Sequence, residues 1–178
     1  MILIINSSKE KLHYYEFVKP IEDILKKNRV AFFTRKYKEV NEKDLREAGK
    51  VIICGTSLKD FDYSRNIDRF EWIKDFDRPI LGICAGMQII SLMFGGKMKK
   101  ETEIGLHKKN FVREFLGING EREVYHLHNN YSTLPENFES FTDGEIPQAI
   151  KHRTKPIYGV LFHPEVRNKE MIEEFCKL

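Results

Sequence analysis

Apolar runs and amphipathic stretches alternate through the first half of the chain. "MILIIN", Met1–Asn6, is apolar without alternation, the pattern of a strand buried on both faces. His13–Asn28 puts Phe17, Ile21, Ile24 and Leu25 on one helical face, and Pro20 marks a kink or the true start. Arg29–Thr34 reads as a second strand. Asn41–Ala48 reads as a helix capped by Asn41 and closed by Gly49. Lys50–Cys54 is a third strand, Asn66–Asp75 is helical, and Pro79–Ile83 is a fourth strand. Ala85–Phe94 is a helix that stops at Gly95–Gly96. Such alternation predicts an α/β fold: a flavodoxin-like, mainly parallel sheet flanked by helices.

The pattern changes after Lys97. Segments 108–118, 121–128 and 146–151 are short and turn-bounded, with a hairpin turn at Gly117–Gly120. They read as antiparallel strands added to the sheet. Ile157–Phe162 is a last buried strand and Lys169–Leu178 a closing helix. Without repeats or a linker, 178 residues fit one domain, 1–178.

Composition narrows the function classes. A net charge of +3 does not point to nucleic acid, and no apolar run is long enough to span a bilayer. The N-terminal run lacks a basic flank, so it reads as a strand and not a signal peptide, and the expected address is the cytoplasm. The three cysteines, Cys54, Cys84 and Cys176, are odd in number and lack CxxC spacing, against a disulfide framework or a structural zinc site. His126 and His128 alternate on an expected strand and share a face. No third ligand is evident in the sequence, so no metal is expected.

Cys84 stands out. In "GICAGMQ", Gly82–Gln88, it sits between an apolar strand and a helix, with glycine two residues away on each side. A sharp strand-to-helix turn lifts a side chain above the sheet edge and needs small neighbours. The helix N-terminus then faces the sulfur, favours its anion and offers free amides to a developing oxyanion. A cysteine nucleophile needs a base near it in space. "GVLFHPEV", Gly159–Val166, provides one: His163 follows an apolar strand, and Glu165 two residues on can orient its ring.

With "GICAGMQ" at 82–88, "FHPE" at 162–165 and Gly55 after "VIIC", the chain resembles the class I, triad-type glutamine amidotransferases over nearly its whole length. The resemblance implies that Cys84 attacks the amide of L-glutamine. His163 would protonate the leaving ammonia and then activate water, held by Glu165. It places the oxyanion hole at the backbone amides of Gly55 and Ala85, and substrate contacts at Gln88 and at His128, Asn129, Asn130 and Tyr131. No cofactor is implied. "EIG" at 103–105, "LPENF" at 134–138 and "IPQAIKHRTKPIYGVLFHPEV" at 146–166 most resemble free-standing glutaminase subunits of two-chain GMP synthases. Ammonia would then go to an ATP-pyrophosphatase subunit in trans that aminates XMP, since this chain has no GxxxxGK[ST] loop of its own. The chain departs from the family pattern at the "CGTSLKD" loop, 54–60, at Leu161 and at Asn130. Other readings are a subunit serving another synthase (anthranilate, aminodeoxychorismate or imidazole-glycerol-phosphate type), a catalytically silent regulatory protein, and a cysteine hydrolase or peptidase on the same layout.

Overall fold

The computed structural model describes residues Met1–Leu178. Its main sheet has the order β2-β1-β3-β4-β9-β8-β7. Strands β2 (Phe32–Lys36), β1 (Ile2–Asn6), β3 (Lys50–Ile53), β4 (Ile80–Ile83) and β9 (Ile157–Val160) run parallel. β8 (Ala149–His152) and β7 (Phe138–Ser140) are antiparallel additions at the edge. The β8 addition agrees with the expectation for 146–151; β7 had no signal in the sequence.

Period-two geometry divides the core into two layers. Ile2, Ile4, Ile52, Leu81 and Ile83 face one apolar cluster, closed by Met171, Ile172 and Phe175 of α5 (Glu170–Lys177). Leu3, Ile5, Val51, Ile53 and Ile80 face the other, closed by Met87, Ile89 and Ile90 of α4 (Ala85–Met93). Helices therefore cover both faces, which is why β1 shows no polar alternation. α1 (Lys19–Lys27) buries Ile21, Ile24 and Leu25 on the α5 side, and Pro20 sits in its first turn, where a missing N–H costs nothing. Each such side chain is worth about 1.5–3 kcal/mol of burial. Residues Tyr14–Val18 before it form a π turn, so the expected helix starts irregularly. α2 (Glu42–Glu47) carries a capping box, with Asn41 and Asp44 each binding the other's backbone N–H. The expected helix over 66–75 is instead a short α3 (Asp62–Arg65) followed by a 3-10 stretch, Ile67–Lys74.

The main correction concerns the hairpin. β5 (Met98–Phe115) and β6 (Ile118–Ser132) are 18 and 15 residues long and form their own two-stranded sheet. They do not extend the main one. β7 and β8 occupy the sheet edge, while Phe111, Phe115, Ile118 and Val124 of the hairpin lie against the α1/α5-side core. Its turn is Leu116–Gly117, both with positive φ (47° and 83°), the twist that matches a two-residue hairpin. No helix is long and apolar enough to cross a membrane.

Candidate active site

β4 ends at Ile83, α4 starts at Ala85, and Cys84 alone makes the turn between them. Its backbone has φ 49° and ψ −103°, a conformation that L residues avoid and that costs on the order of 1–3 kcal/mol. Two hydrogen bonds hold it: the Cys84 amide donates to the Val160 carbonyl at 2.7 Å, and its carbonyl accepts from the Gln88 amide at 3.1 Å. The flanking glycines are required by close packing. A Cβ at Gly82 would fall 2.5 Å from the Gly86 carbonyl carbon, and one at Gly86 would fall 2.2 Å from the Ile53 carbonyl oxygen. α4 is thus pressed onto β3 and β4, and Cys84 is the residue that caps its N-terminus.

His163 follows β9, the parallel neighbour of β4, so both strands deliver their carboxyl ends to one place. The His163 amide donates to the Tyr125 carbonyl of β6 at 2.8 Å, and the Phe17 ring packs 5.5 Å from the imidazole. Nδ1 of His163 is 2.7 Å from Glu165 Oε1, and both side chains are buried. Nε2 has no hydrogen-bond partner. Burial alone would lower the pKa of this ring, but the Glu165 carboxylate and the Cys84 sulfur outweigh it and hold it well above the ordinary value. That shift favours the protonated ring. The Cys84 thiol itself lies 3.7 Å from the Leu127 carbonyl of β6.

Gly55 completes the cluster. A Cβ there would sit 2.6 Å from His163 Cε1 and 3.3 Å from Cys84 Cβ, so only glycine lets this backbone lie against both. Ser7 Oγ donates to the Cys54 and Gly55 carbonyls at 2.7 and 3.2 Å. Further along the loop, the buried Asp60 carboxylate accepts from Thr56 Oγ1, the Lys9 amide and the Asp62 amide. Neither Thr56 nor Asp60 carried a sequence signal, because loop-internal bonding leaves no periodic trace.

The chain belongs to the class-I glutamine amidotransferase family. The family model "Glutamine amidotransferase class-I" matches residues 13–177, nearly the whole chain. A glutamine-hydrolyzing GMP synthase subunit from Methanosphaera stadtmanae is 40% identical over 122 residues, covering 61% of this chain and 64% of that protein. The chain thus spans less than two thirds of that relative. The like-named protein of Pyrococcus abyssi is 34% identical over 148 residues, 76% of this chain and 78% of that one. The solved structure of a candidate GMP synthase subunit from Thermoplasma acidophilum superposes with a TM-score of 0.85 at 23% identity, over 99% of this chain and 92% of that one. At that identity the likeness speaks for the fold.

In this amidotransferase the expected substrate residues gather unevenly. Cys84, Ala85, Gln88, His128, Asn129 and Asn130 line one cavity, with Leu58 and Tyr63. Tyr131 is not among them; it packs against the α4-side core. The Gln88 amide is tied at both ends, accepting from Tyr63 Oη and donating to the Asn130 carbonyl at 2.7 Å. The cavity measures about 10 Å³, the lower limit for one water molecule. Asn129 Nδ2 donates to the Leu58 carbonyl at 3.0 Å across it. An open groove of about 610 Å³ begins on the other side of these residues, edged by Lys59 and Lys100.

His128 lines this cavity, but its ring nitrogens turn elsewhere. They meet His126 and Glu103 on one side and the Glu101 carbonyl on the other. Burial holds the His126 pKa down, to about 3. Burial would raise Glu103, but bonds from His128 and Lys109 win and keep it an anion. A third ligand-type side chain, Glu103, therefore does join the two histidines, contrary to the expectation from sequence.

Proposed function

We propose that this chain hydrolyses L-glutamine to glutamate and ammonia and supplies the ammonia to the ATP-pyrophosphatase subunit of a GMP synthase. The observation that carries the reading is the buried Cys84–His163–Glu165 cluster at a strand-to-helix elbow. The Cys84 thiolate attacks the side-chain amide carbon. The oxyanion forms beside the amides of Gly55 and Ala85. His163 gives its proton to the leaving nitrogen, ammonia departs, and a glutamyl thioester remains on Cys84. The neutral ring then takes a proton from water, which attacks the thioester and releases glutamate. Glu165 keeps the ring oriented throughout.

A closed cavity at Cys84 supports weak activity in isolation. Docking of the synthase subunit would move the Gly55–Asp60 loop, open the cavity to the 610 Å³ groove and so couple ammonia release to its use. The names of the Methanosphaera and Pyrococcus relatives favour XMP as the acceptor. Reconstitution tests the reading: the chain is mixed with a GMP synthase ATP-pyrophosphatase subunit, XMP and Mg-ATP. GMP should form from glutamine only when the chain is present, and from ammonium without it. Failure of glutamine where ammonium succeeds would overturn the assignment.

A further inference from the structure

The register of the hairpin sets Glu103 directly across from His128, just after a shift in pairing between Lys100 and Glu103. His126, two residues from His128, shares its face. Three atoms converge there. His126 Nδ1 and His128 Nε2 are 3.1 Å apart, His128 Nε2 and Glu103 Oε2 are 3.2 Å apart, and His126 Nδ1 and Glu103 Oε2 are 3.6 Å apart. A tetrahedral zinc ion with bonds of about 2.0–2.1 Å sets its ligand atoms about 3.3–3.4 Å from one another. The triangle has that size.

The surrounding contacts orient two of the three side chains, His128 and Glu103, while His126 Nε2 has no hydrogen-bond partner. The Glu101 carbonyl lies 3.3 Å from His128 Nδ1, the position from which a carbonyl fixes a metal-bound imidazole. Lys109 takes Glu103 Oε1, and Gln148 Nε2 donates to Oε2 at 3.0 Å. Both histidines are buried and Glu103 nearly so on its side chain, at 12% exposed.

We propose that Glu103, His126 and His128 bind a single divalent transition-metal ion of the zinc type. The ion sits in the hairpin beside the Cys84 pocket. Imidazole and carboxylate donors suit zinc, cobalt and nickel and disfavour magnesium or calcium, which take oxygen. The ion braces the pocket wall, because His128 lines the cavity and Leu127, between the two ligands, holds its carbonyl on the Cys84 thiol. This site does not depend on the glutaminase reading, and its test does not use activity.

Chelator-stripped wild-type chain and its Cys84→Ala variant are titrated with cobalt(II) and then with zinc(II). Tetrahedral cobalt absorbs strongly in the visible range, and nitrogen and oxygen donors give no sulfur charge-transfer band. The expected result is one cobalt per chain, the same visible band in both proteins, and its loss on adding equimolar zinc. Glu103→Gln and His126→Gln, with folding checked by circular dichroism, should each weaken zinc binding at least about 100-fold in competition with a chromogenic chelator, while His163→Gln should not. No stoichiometric cobalt band in the wild-type chain would overturn the site and assign the gap to a proton shared by the three groups. A band that survives both ligand substitutions would overturn it as well.

Discussion

Asn129 of the hairpin and Leu58 of the loop after β3 close the Cys84 pocket with one hydrogen bond, Nδ2 to carbonyl at 3.0 Å. No other side-chain hydrogen bond joins β6 to the Thr56–Asp60 loop. A net hydrogen bond contributes about 0.5–1.5 kcal/mol, which is roughly 2- to 12-fold in an opening equilibrium. Asn129→Ala should therefore raise ammonia release by the isolated chain by about that factor in kcat, with KM measured separately. An unchanged or lower kcat would show that the contact does not restrain the pocket.

Gly55→Ala tests the other wall. The new Cβ has to displace His163, since it would stand 2.6 Å from Cε1. Displacement of the His163 ring and of the Gly55 backbone amide, which alanine keeps but the clash shifts, should together lower kcat/KM for glutamine at least about 100-fold. Folding should survive, as read by near-ultraviolet circular dichroism. Activity within about threefold of the parent would mean that neither group serves the reaction.

Gly86→Ala should act on stability first. Its Cβ meets backbone, the Ile53 carbonyl oxygen at 2.2 Å, and a strand cannot yield as a side chain does. Overpacking of this kind costs about 1–3 kcal/mol, and urea unfolding should read at least that. A neutral result would show that α4 can slide off β3.

His152 gives a pH signature away from the pocket. Its ring packs between Phe94 and Phe138, and Nδ1 accepts from the Thr154 and Lys155 amides at 3.2 and 3.0 Å. Burial, and secondarily the Lys155 charge, lowers its pKa. The unfolded chain then takes up a proton below about pH 6.5 that the folded chain refuses, so stability should fall as the pH drops below that value. The slope is at most about 1.4 kcal/mol per pH unit for one proton. His152→Asn keeps an acceptor and cannot titrate, so its stability should change less between about pH 7.5 and 5.5. Equal changes in the two proteins would place the acid sensitivity elsewhere.

The parallel sheet was legible in the sequence because strands buried on both faces leave uninterrupted apolar runs, as in Met1–Asn6 and Lys50–Cys54. The elbow was legible because close packing there admits only glycine at positions 82 and 86, a constraint written in residue type. The long hairpin was not. Its exposed face carries Ile104, Leu106 and Val112 beside many charges, so the pattern did not say which sheet it joins. Glu103 escaped for a related reason: its meeting with His126 and His128 depends on a register shift between Lys100 and Glu103, and pairing across a bulge cannot be counted along one strand. Gln88 was expected to reach substrate by its place one turn past Cys84, but its bonds to Tyr63 and Asn130 form only in three dimensions.

The most direct measurement is glutamine hydrolysis by the purified chain and its Cys84→Ala variant, with a synthase subunit, XMP and Mg-ATP present. Glutamate is followed in solution, since the synthase consumes the ammonia, and the Cys84 peptide is recovered by acid quench for mass spectrometry. The account predicts glutamate release by the parent only, with a glutamyl adduct on the Cys84 peptide. Glutamate release that persists in the variant would contradict it, because the cysteine of the elbow would then not be the nucleophile.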